Sequence, residues 1–460
     1  MAKKKGAYDA DFIVMGSGPG GQRAAIQAAK LGKRVVVIER DDIGGGCLHK
    51  ATIPSKTLRE AALSPDCNIP NPLPIVMNRK RQVIEDEVEL LRSQFERNGV
   101  TFLKGIGSLV SAEEVRVQTP ETGAQQTLRS PKMVLATGAR PLRPRDIPFH
   151  PNCIYDSDTI LEMTQLPRTL AVLGAGVIGC EYASILGKLG VRVTLMDKRD
   201  SLLPSVDREI VQALIQHFSN HNVQLELASS FEKVQLIEPD APEFGAKLEA
   251  GGKLRRFDGV LCCLGRQGNV EDLGLENAGV SYSDRGLVPV NEHYQTSQPH
   301  IYAVGDLIGA PALAASSAEQ GRLAANHAFG KSSGQFPETF PYGIYTVPEI
   351  SSAGYLEEQL RAKNIPYVVG RAQYREIARG KILGDQFGFL KLLVHRKTKQ
   401  LLGIHIIGTG ATELIHIGQV VMALKTDVEF LVNNVFNYPT LAEAYKVAAY
   451  NASNQIRSGS

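Results

Sequence analysis

The chain has 460 residues, 43% hydrophobic and 22% charged, which is ordinary for a globular protein and long enough for two or three domains, each with its own core. A formal net charge of +3 is too weak to point to nucleic acid or a membrane surface, and no run of about 18 apolar residues offers a membrane span. The basic start Lys3-Lys4-Lys5 lacks the apolar stretch of a signal peptide, and six cysteines without framework spacing fit a reducing compartment, the cytoplasm.

Asp11 to Met15 reads as a buried strand, followed by Gly16-Ser17-Gly18-Pro19-Gly20-Gly21. An alanine-rich helix is expected over Gln22 to Leu31 and a second strand over Arg34 to Ile38. Glu39 ends that strand, 18 positions after Gly21. This is a dinucleotide fingerprint in its strand–turn–helix–strand setting. Gly16 permits the tight turn, Gly18 lets the backbone approach a pyrophosphate, and Gly21 lets the helix pack on the sheet. The helix start presents free N–H groups and a positive dipole end to phosphates, and Glu39 can accept hydrogen bonds from the adenosine ribose. Glycines alone also make plain turns; the strand, helix and acid around them decide for a nucleotide.

The stretch Gly44-Gly45-Gly46-Cys47-Leu48-His49-Lys50-Ala51-Thr52-Ile53-Pro54-Ser55-Lys56 comes next. Ser55 to Leu63 reads as one or two helical turns carrying Lys56 and Arg59. Pro65, Pro70, Pro72 and Pro74 interrupt regular structure, so Ser64 to Pro74 is expected as a surface loop. Ile84, Val88, Leu91 and Phe95 recur at helical spacing and mark one buried face. Glu85, Asp86, Glu87 and Glu89 sit towards its start and Arg92 and Arg97 near its end, matching the helix dipole, with Gly99 as the stop. The acids read as a solvated face, not a metal site. Glu121-Thr122-Gly123 is a turn between short strands. Met133 to Ala136 then returns to the first sheet, followed by Thr137-Gly138.

A second fingerprint runs from the strand Thr169 to Leu173 through Gly174-Ala175-Gly176-Val177-Ile178-Gly179, with a helix over Cys180 to Leu189 and a strand over Arg192 to Met196. Gly174, Gly176 and Gly179 repeat the three glycine roles, and Asp197 closes the strand, again 18 positions past the third glycine. Two complete fingerprints mean sites for two dinucleotides, with a linker between them near Pro144 to Asp158. Asp197 is placed to accept both ribose hydroxyls of NAD, while Lys198 and Arg199 beside it could pair with a 2′-phosphate. Ser205 to Ser219 is a further helix, and strands continue to Leu264, with Cys262 and Cys263 as buried thiols. Gly265-Arg266 follows. The stretch beyond Pro341 alternates strands with one helix, and ends in Asn437-Tyr438-Pro439-Thr440-Leu441-Ala442-Glu443-Ala444-Tyr445. His405, His416 and the remaining histidines lack metal-site spacing.

From Asp9 to about Ala449 these segments resemble the pyridine nucleotide-disulfide oxidoreductases, the two-dinucleotide flavoproteins that include dihydrolipoamide dehydrogenase, glutathione reductase and mercuric reductase. The resemblance implies an α/β fold: two Rossmann-like domains and an α+β C-terminal dimerisation domain. It divides the chain into an FAD domain at 1–149 resuming at 269–337, an NAD(P) domain at 150–268, and an interface domain at 338–460. It also implies that Thr137-Gly138 lies at the flavin and that Asp306, within the Thr296–Asp306 motif, binds a ribityl hydroxyl. Gly265 would mark the exit of the NAD(P) domain. Lys56 and Glu181 would pair near flavin N5 and the nicotinamide, as the catalytic residues, where a cation would stabilise electron density in reduced flavin.

Two positions depart from that pattern. The family's redox disulfide joins two cysteines; Cys47 occupies the first position, but Thr52 stands at the second. Tyr438 replaces the histidine that serves the dithiol as acid–base, although its partner acid persists as Glu443. A tyrosine, with an ordinary pKa of about 10, is a poor proton shuttle near neutrality. Mercuric reductase is disfavoured because no cysteine follows Cys263. Gly-Gly-Gly-Cys followed by Thr-Ile-Pro-Ser-Lys is similar to the family's soluble, FAD-dependent pyridine nucleotide transhydrogenases. That resemblance implies ping-pong hydride transfer between NADPH and NAD⁺ through FAD without a disulfide, in a homodimer or higher assembly, with no metal. Cys47 and Thr52 would then line the flavin without redox work. An NAD(P)H:quinone reductase or diaphorase of the same fold, and a nucleotide-responsive interaction module, remain open alternatives.

Overall fold

The computed structural model describes residues 8–69, 71–237, 244–332 and 334–458; the Lys3-Lys4-Lys5 start lies outside them. The strand Phe12–Met15 is apolar at every position and wholly buried, as expected of a central parallel strand covered on both faces. It pairs in parallel with Val35–Glu39 on one side and Met133–Leu135 on the other. Thr101–Lys104 and Ile301–Ala303 complete a five-stranded sheet. Phe12, Val14, Val35 and Val37 face one core, and Ile13, Met15 and Ile38 face another. Because Ile301 pairs with Met133, the chain returns to this sheet after building everything between.

Four helices come with the amino-terminal segment of this first unit: α1 (Pro19–Lys30), α2 (Gly45–His49), α3 (Thr52–Leu63) and α4 (Leu73–Arg97). α3 is three turns long rather than the one or two expected, since Pro54 falls in its first turn, where a missing N–H costs no hydrogen bond. The expected loop over Ser64 to Pro74 is only partly one. A short 3₁₀ turn spans Pro65–Cys67, and α4 begins at Leu73 with Pro72 as its cap. The long α4 also moves the acids Glu85 to Glu89 into its middle, with none in its first turn, so the dipole does not explain them. Leu91 and Phe95 are buried as expected, and Gly99 follows the helix with φ +66°.

The second unit repeats the plan. Thr169–Leu173 pairs in parallel with Arg192–Met196 and Gly259–Cys262, and Val223–Glu226 and Ile154–Asp156 close the edges. The expected linker near Pro144 to Asp158 therefore contains an edge strand of this sheet. α5 (Val177–Lys188) and α6 (Arg208–Ser219) cover it. A third unit is built on a third large sheet, antiparallel, which orders Tyr342–Ile344, Ile350–Gly354, Leu401–Ile407, Phe389–His395 and Tyr367–Gln373. The stretch holding it carries five helices, not one: Glu357–Ala362, Ala378–Leu383, Ala411–Ala423, Glu429–Asn433 and Glu443–Ser458. No helix of the described residues is long and apolar enough to cross a membrane.

α1 lies against α7 (Ala314–Ala328), and their contact requires glycine: a Cβ on Gly321 would come 2.0 Å from the Gly20 carbonyl oxygen. This contact joins the two chain segments of the first unit beneath its glycine turn.

Candidate active site

A cleft of about 1940 Å³ opens at the carboxyl end of the first sheet, where ligands of such sheets bind. Its walls bring together Gly16, Gly18, Glu39, Cys47, Thr52, Thr137, Gly138 and Asp306, positions spread from one end of the first unit to the other. The glycine turn divides its labour. Gly16 has φ +103°, and a Cβ there would sit 2.3 Å from the Ala136 carbonyl oxygen. At Gly21 the Cβ would meet the Gly16 oxygen at 1.9 Å. Gly18 has open space instead and heads α1 without any side-chain cap. The first-turn N–H groups of α1 are thereby left to whatever enters the cleft.

Glu39 is buried and fixes the turn from the next strand. Its Oε2 accepts from the Ser17 N–H and hydroxyl, both at 2.8 Å, and Oε1 accepts from the Asp41 N–H at 3.0 Å. The Gly44 N–H in turn donates to Ser17 Oγ at 2.9 Å. Ser17 thus ties the nucleotide turn to the start of α2. Across the cleft, Thr137 and Asn269 are cross-linked: the Thr137 hydroxyl donates to the Asn269 carbonyl at 2.9 Å, and the Asn269 amide donates to the Thr137 carbonyl at 2.8 Å. Arg266 lines the cleft, with Nε 3.6 Å from the Asp306 carboxylate.

Cys47 is a free thiol. Burial pushes it up from the ordinary thiol range, with the neighbouring Thr52 hydroxyl opposing that shift. Just beyond Thr52 on α3, Lys56 Nζ donates to Glu181 Oε2 at 2.7 Å, across 125 residues of sequence. Glu181 is buried in α5, and its Oε1 accepts from the Tyr345 N–H at 2.8 Å. The Lys56 ammonium also stands 5.0 Å from the centre of the Tyr345 ring. The expected pair is therefore formed, and a backbone N–H from the third unit holds it. Lys56 and Glu181 lie beside the cleft but are not among the residues lining it.

The second turn has the same construction. A Cβ on Gly174 would lie 2.4 Å from the Cys263 carbonyl oxygen, one on Gly179 would lie 1.9 Å from the Gly174 oxygen, and Gly176 faces open space. α5 starts there uncapped by any side chain. Asp197 is buried, accepting from Ala175 N–H at 2.7 Å and from the Arg199 guanidinium at 2.9 and 2.6 Å. Burial works to raise this carboxyl, but the bonds from Arg199 and Ala175 hold it at about 2. Lys198 is exposed. Arg199 thus faces the acid, where both cations were expected to face a phosphate. Gly265, with φ +122° and open space around it, precedes Arg266.

Sequence reasoning passed over Ser17, Asn269, Arg266 and Tyr345. Arg266 stood next to a selected glycine and Ser17 inside the fingerprint, so both were within reach; Asn269 and Tyr345 matter only through contacts the fold creates. At the other end of the chain, Tyr438 is 69% exposed, and Glu443 keeps a buried Oε2 with no hydrogen-bond partner. His405 is buried in the third sheet and His416 bonds Gln419 on an exposed helix face. No group of three His, Cys, Asp or Glu among the described residues is placed to hold a metal.

The first cleft fits a flavin dinucleotide by its own features. Its volume suits a large ligand, Gly18 admits a close approach, and Arg266 Nε is a buried donor with no hydrogen-bond partner. Residues 10–321 match the family model described as pyridine nucleotide-disulphide oxidoreductase, and residues 340–449 match that family's dimerisation domain. The chain is 43% identical to a soluble pyridine nucleotide transhydrogenase of Pseudomonas putida, over 98% of this chain and 99% of the relative. It is 44% identical to a protein of the same description from Mycobacterium bovis, over 97% and 98%. Among solved structures, the HOCl-induced flavoprotein disulfide reductase RclA of Escherichia coli, as a Cu(II) complex, superposes with TM-score 0.88 at 25% identity, covering 96% of this chain and 99% of that one. LpdA of Mycobacterium tuberculosis gives TM-score 0.88 at 25% identity, covering 95% and 99%.

Proposed function

The chain belongs to the pyridine nucleotide-disulphide oxidoreductase family, and from that premise we propose that it is an FAD-dependent transhydrogenase moving hydride between NADPH and NAD⁺. The observation that carries this reading is a pairing and a gap: Lys56 and Glu181 meet at 2.7 Å, while the neighbouring Cys47 faces Thr52 and has no second sulfur. The names of the relatives support it. FAD, when bound, supplies a hydride acceptor and donor that both nicotinamides can use in turn, which makes the sequence ping-pong.

The residues divide the work. In the first cleft, the α1 start would bind pyrophosphate, Glu39 the adenosine ribose, and Asp306 and Thr137-Gly138 the flavin side, with Arg266 ion-paired to Asp306 beside them. At the second turn, Gly174, Gly176 and Gly179 would admit the pyrophosphate of NAD(H) or NADP(H), Asp197 would meet the adenosine ribose, and Lys198 and Arg199 a 2′-phosphate. Gly265 would allow the chain to leave the second unit beside them. Lys56 places a fixed positive charge where electron density grows during transfer, and preorganised charge of this kind lowers the barrier. Glu181, held by Tyr345, keeps that ammonium in place. We assign the FAD domain to 1–149 and 269–337, the NAD(P) domain to 150–268, and the interface domain to 338–460. The last would make a homodimer or higher assembly, consistent with the dimerisation-domain match. The protein would work in the cytoplasm without metal, membrane or nucleic acid.

The purified protein should be yellow, with one non-covalent FAD per chain. In the absence of oxygen, NADPH should bleach the flavin and NAD⁺ should restore its colour. Colour returning only with a quinone would replace this reading by a quinone reductase. Purification with FMN, or with no flavin after reconstitution, would end the flavin assignment itself.

A further inference from the structure

We propose that Arg199 is a removable counter-ion of Asp197, closed on the carboxylate when a 2′-phosphate binds and displaced when a free ribose binds, so that this one side chain acts with opposite sign on the two nucleotides. The inference rests on the reading of the second turn as the NAD(P) site.

Asp197 has no lone pair to spare. Oδ1 accepts from the Arg199 backbone N–H and from its Nε, each at 2.9 Å. Oδ2 accepts from Ala175 N–H at 2.7 Å and from the second guanidinium nitrogen at 2.6 Å. A carboxylate offers about four acceptor sites, and all are taken. The Arg199 backbone donor cannot leave, because the chain on either side of it is pinned. Asp197 N–H donates to the Glu226 carbonyl at 3.1 Å, and the Asp197 and Arg199 carbonyls accept from Ser229 and Ala228 at 3.0 and 2.7 Å. The guanidinium can leave: its side chain is 41% exposed, against 6% for Asp197.

An adenosine ribose with free 2′- and 3′-hydroxyls brings two donors, so it must displace both guanidinium bonds before Asp197 can receive it. A 2′-phosphate brings acceptors and negative charge. It would be repelled by a bare Asp197, but with Arg199 in place the acid is neutralised, and the guanidinium keeps three further N–H donors for the phosphate. Lys198, exposed next to it, adds charge without touching Asp197. Arg199 therefore opposes NAD(H) and favours NADP(H), while Lys198 only favours NADP(H). A site that must take both nucleotides is served by a charge that yields instead of a fixed one.

The test is calorimetric titration of the oxidised, FAD-loaded protein with NAD⁺ and with NADP⁺. Arg199→Ala should weaken NADP⁺ by about tenfold or more, the scale of a charged hydrogen bond, and should tighten NAD⁺ by a factor of roughly three or more. Lys198→Ala should weaken NADP⁺ and leave NAD⁺ where it was. Arg199→Lys, which keeps the charge but loses the fork, should fall between parent and Arg199→Ala for NAD⁺, and it serves alone if Arg199→Ala fails to hold FAD. NAD⁺ binding that is unchanged or weaker in the Arg199 variants overturns the counter-ion role. Failure of the parent protein to bind either nucleotide would instead overturn the NAD(P) assignment of the site, a separate result.

Discussion

The Lys56 ammonium is half of a pair whose other half is nearly sealed from water: the side chains are 24% and 6% exposed. Such a pair is worth little as surface decoration, but here both charges are oriented by further contacts, Tyr345 N–H on Glu181 and the Tyr345 ring beside Lys56. Lys56→Met should slow single-turnover reduction of the flavin by NADPH by about 10²-fold, the loss typical of one preorganised electrostatic contact, with FAD content normal. Glu181→Ala should slow it less, because the ammonium survives. Stopped-flow rates unchanged in both variants would assign the pair to structure alone. Cys47 makes the opposite case. Its thiol is pushed up by burial, which keeps it protonated and inert near neutrality, and Thr52 offers no sulfur. Cys47→Ser should cost less than about tenfold in nicotinamide exchange, short of the 10²–10⁴ that an acid–base group supplies. Complete loss with flavin still bound would make the thiol a participant.

At the scale of elements, the two glycines flanking α1's start differ in what they protect. Gly21 keeps the helix on the sheet, where a Cβ would press on the Gly16 oxygen at 1.9 Å; Gly18 keeps the cleft open. Gly21→Ala should therefore lower thermal stability by about 1–3 kcal/mol or more, the range of overpacking, together with FAD content. A Cβ at Gly18 meets nothing within 4 Å, and the φ of −64° there is one that any residue adopts, which makes Gly18→Val a probe of the cleft. It should melt within a few degrees of the parent, each being without flavin, yet retain little FAD on purification. Equal FAD content in Gly18→Val and parent would mean that the turn does not approach the cofactor.

Across the whole molecule, one lysine fastens the second unit to the third. Lys391, 1% exposed on the strand Phe389–His395, reaches Asp207 at 2.9 Å, Glu209 at 3.1 Å and Glu357 at 2.5 Å. Asp207 also caps α6 through the Glu209 N–H. Lys391→Met strands a buried carboxylate, which costs about 3–5 kcal/mol and should show as a lower melting temperature. Burial works to raise Glu357, but its bonds from Lys391 and Tyr367 hold it at about 2, below an ordinary glutamate at about 4.3. A carboxyl depressed by folding stabilises the fold fully above its unfolded value and loses that contribution as pH falls through the folded one. The gap in melting temperature between parent and Lys391→Met should thus narrow as pH falls from about 5 to about 2. A gap that is constant over that window would show that the acids are not what holds the lysine.

What the sequence determined by itself was local and stereochemical. Gly16 and Gly174 take φ values of +103° and +106° that side-chain-bearing residues rarely adopt, and both fingerprints, with Glu39 and Asp197 ending their strands, are written in contiguous residues. Strand positions followed from unbroken apolar runs, as in Phe12–Met15 and Leu170–Leu173. Helix extents were less legible, because prolines that end helices elsewhere sit at the starts of α3 and α4, and the acids of α4 lie mid-helix. Beyond the Lys56–Glu181 pair that the family resemblance implied, pairings were decided by the tertiary structure. Tyr345 reaches Glu181 over 164 residues, Asn269 braces Thr137 over 132, and Lys391 meets Asp207 over 184. Even Arg199, two residues from Asp197, turned toward the acid, on a backbone held by Glu226, Ala228 and Ser229. A sequence shows which groups a chain carries; which of them satisfy one another is fixed by which surfaces the fold buries together.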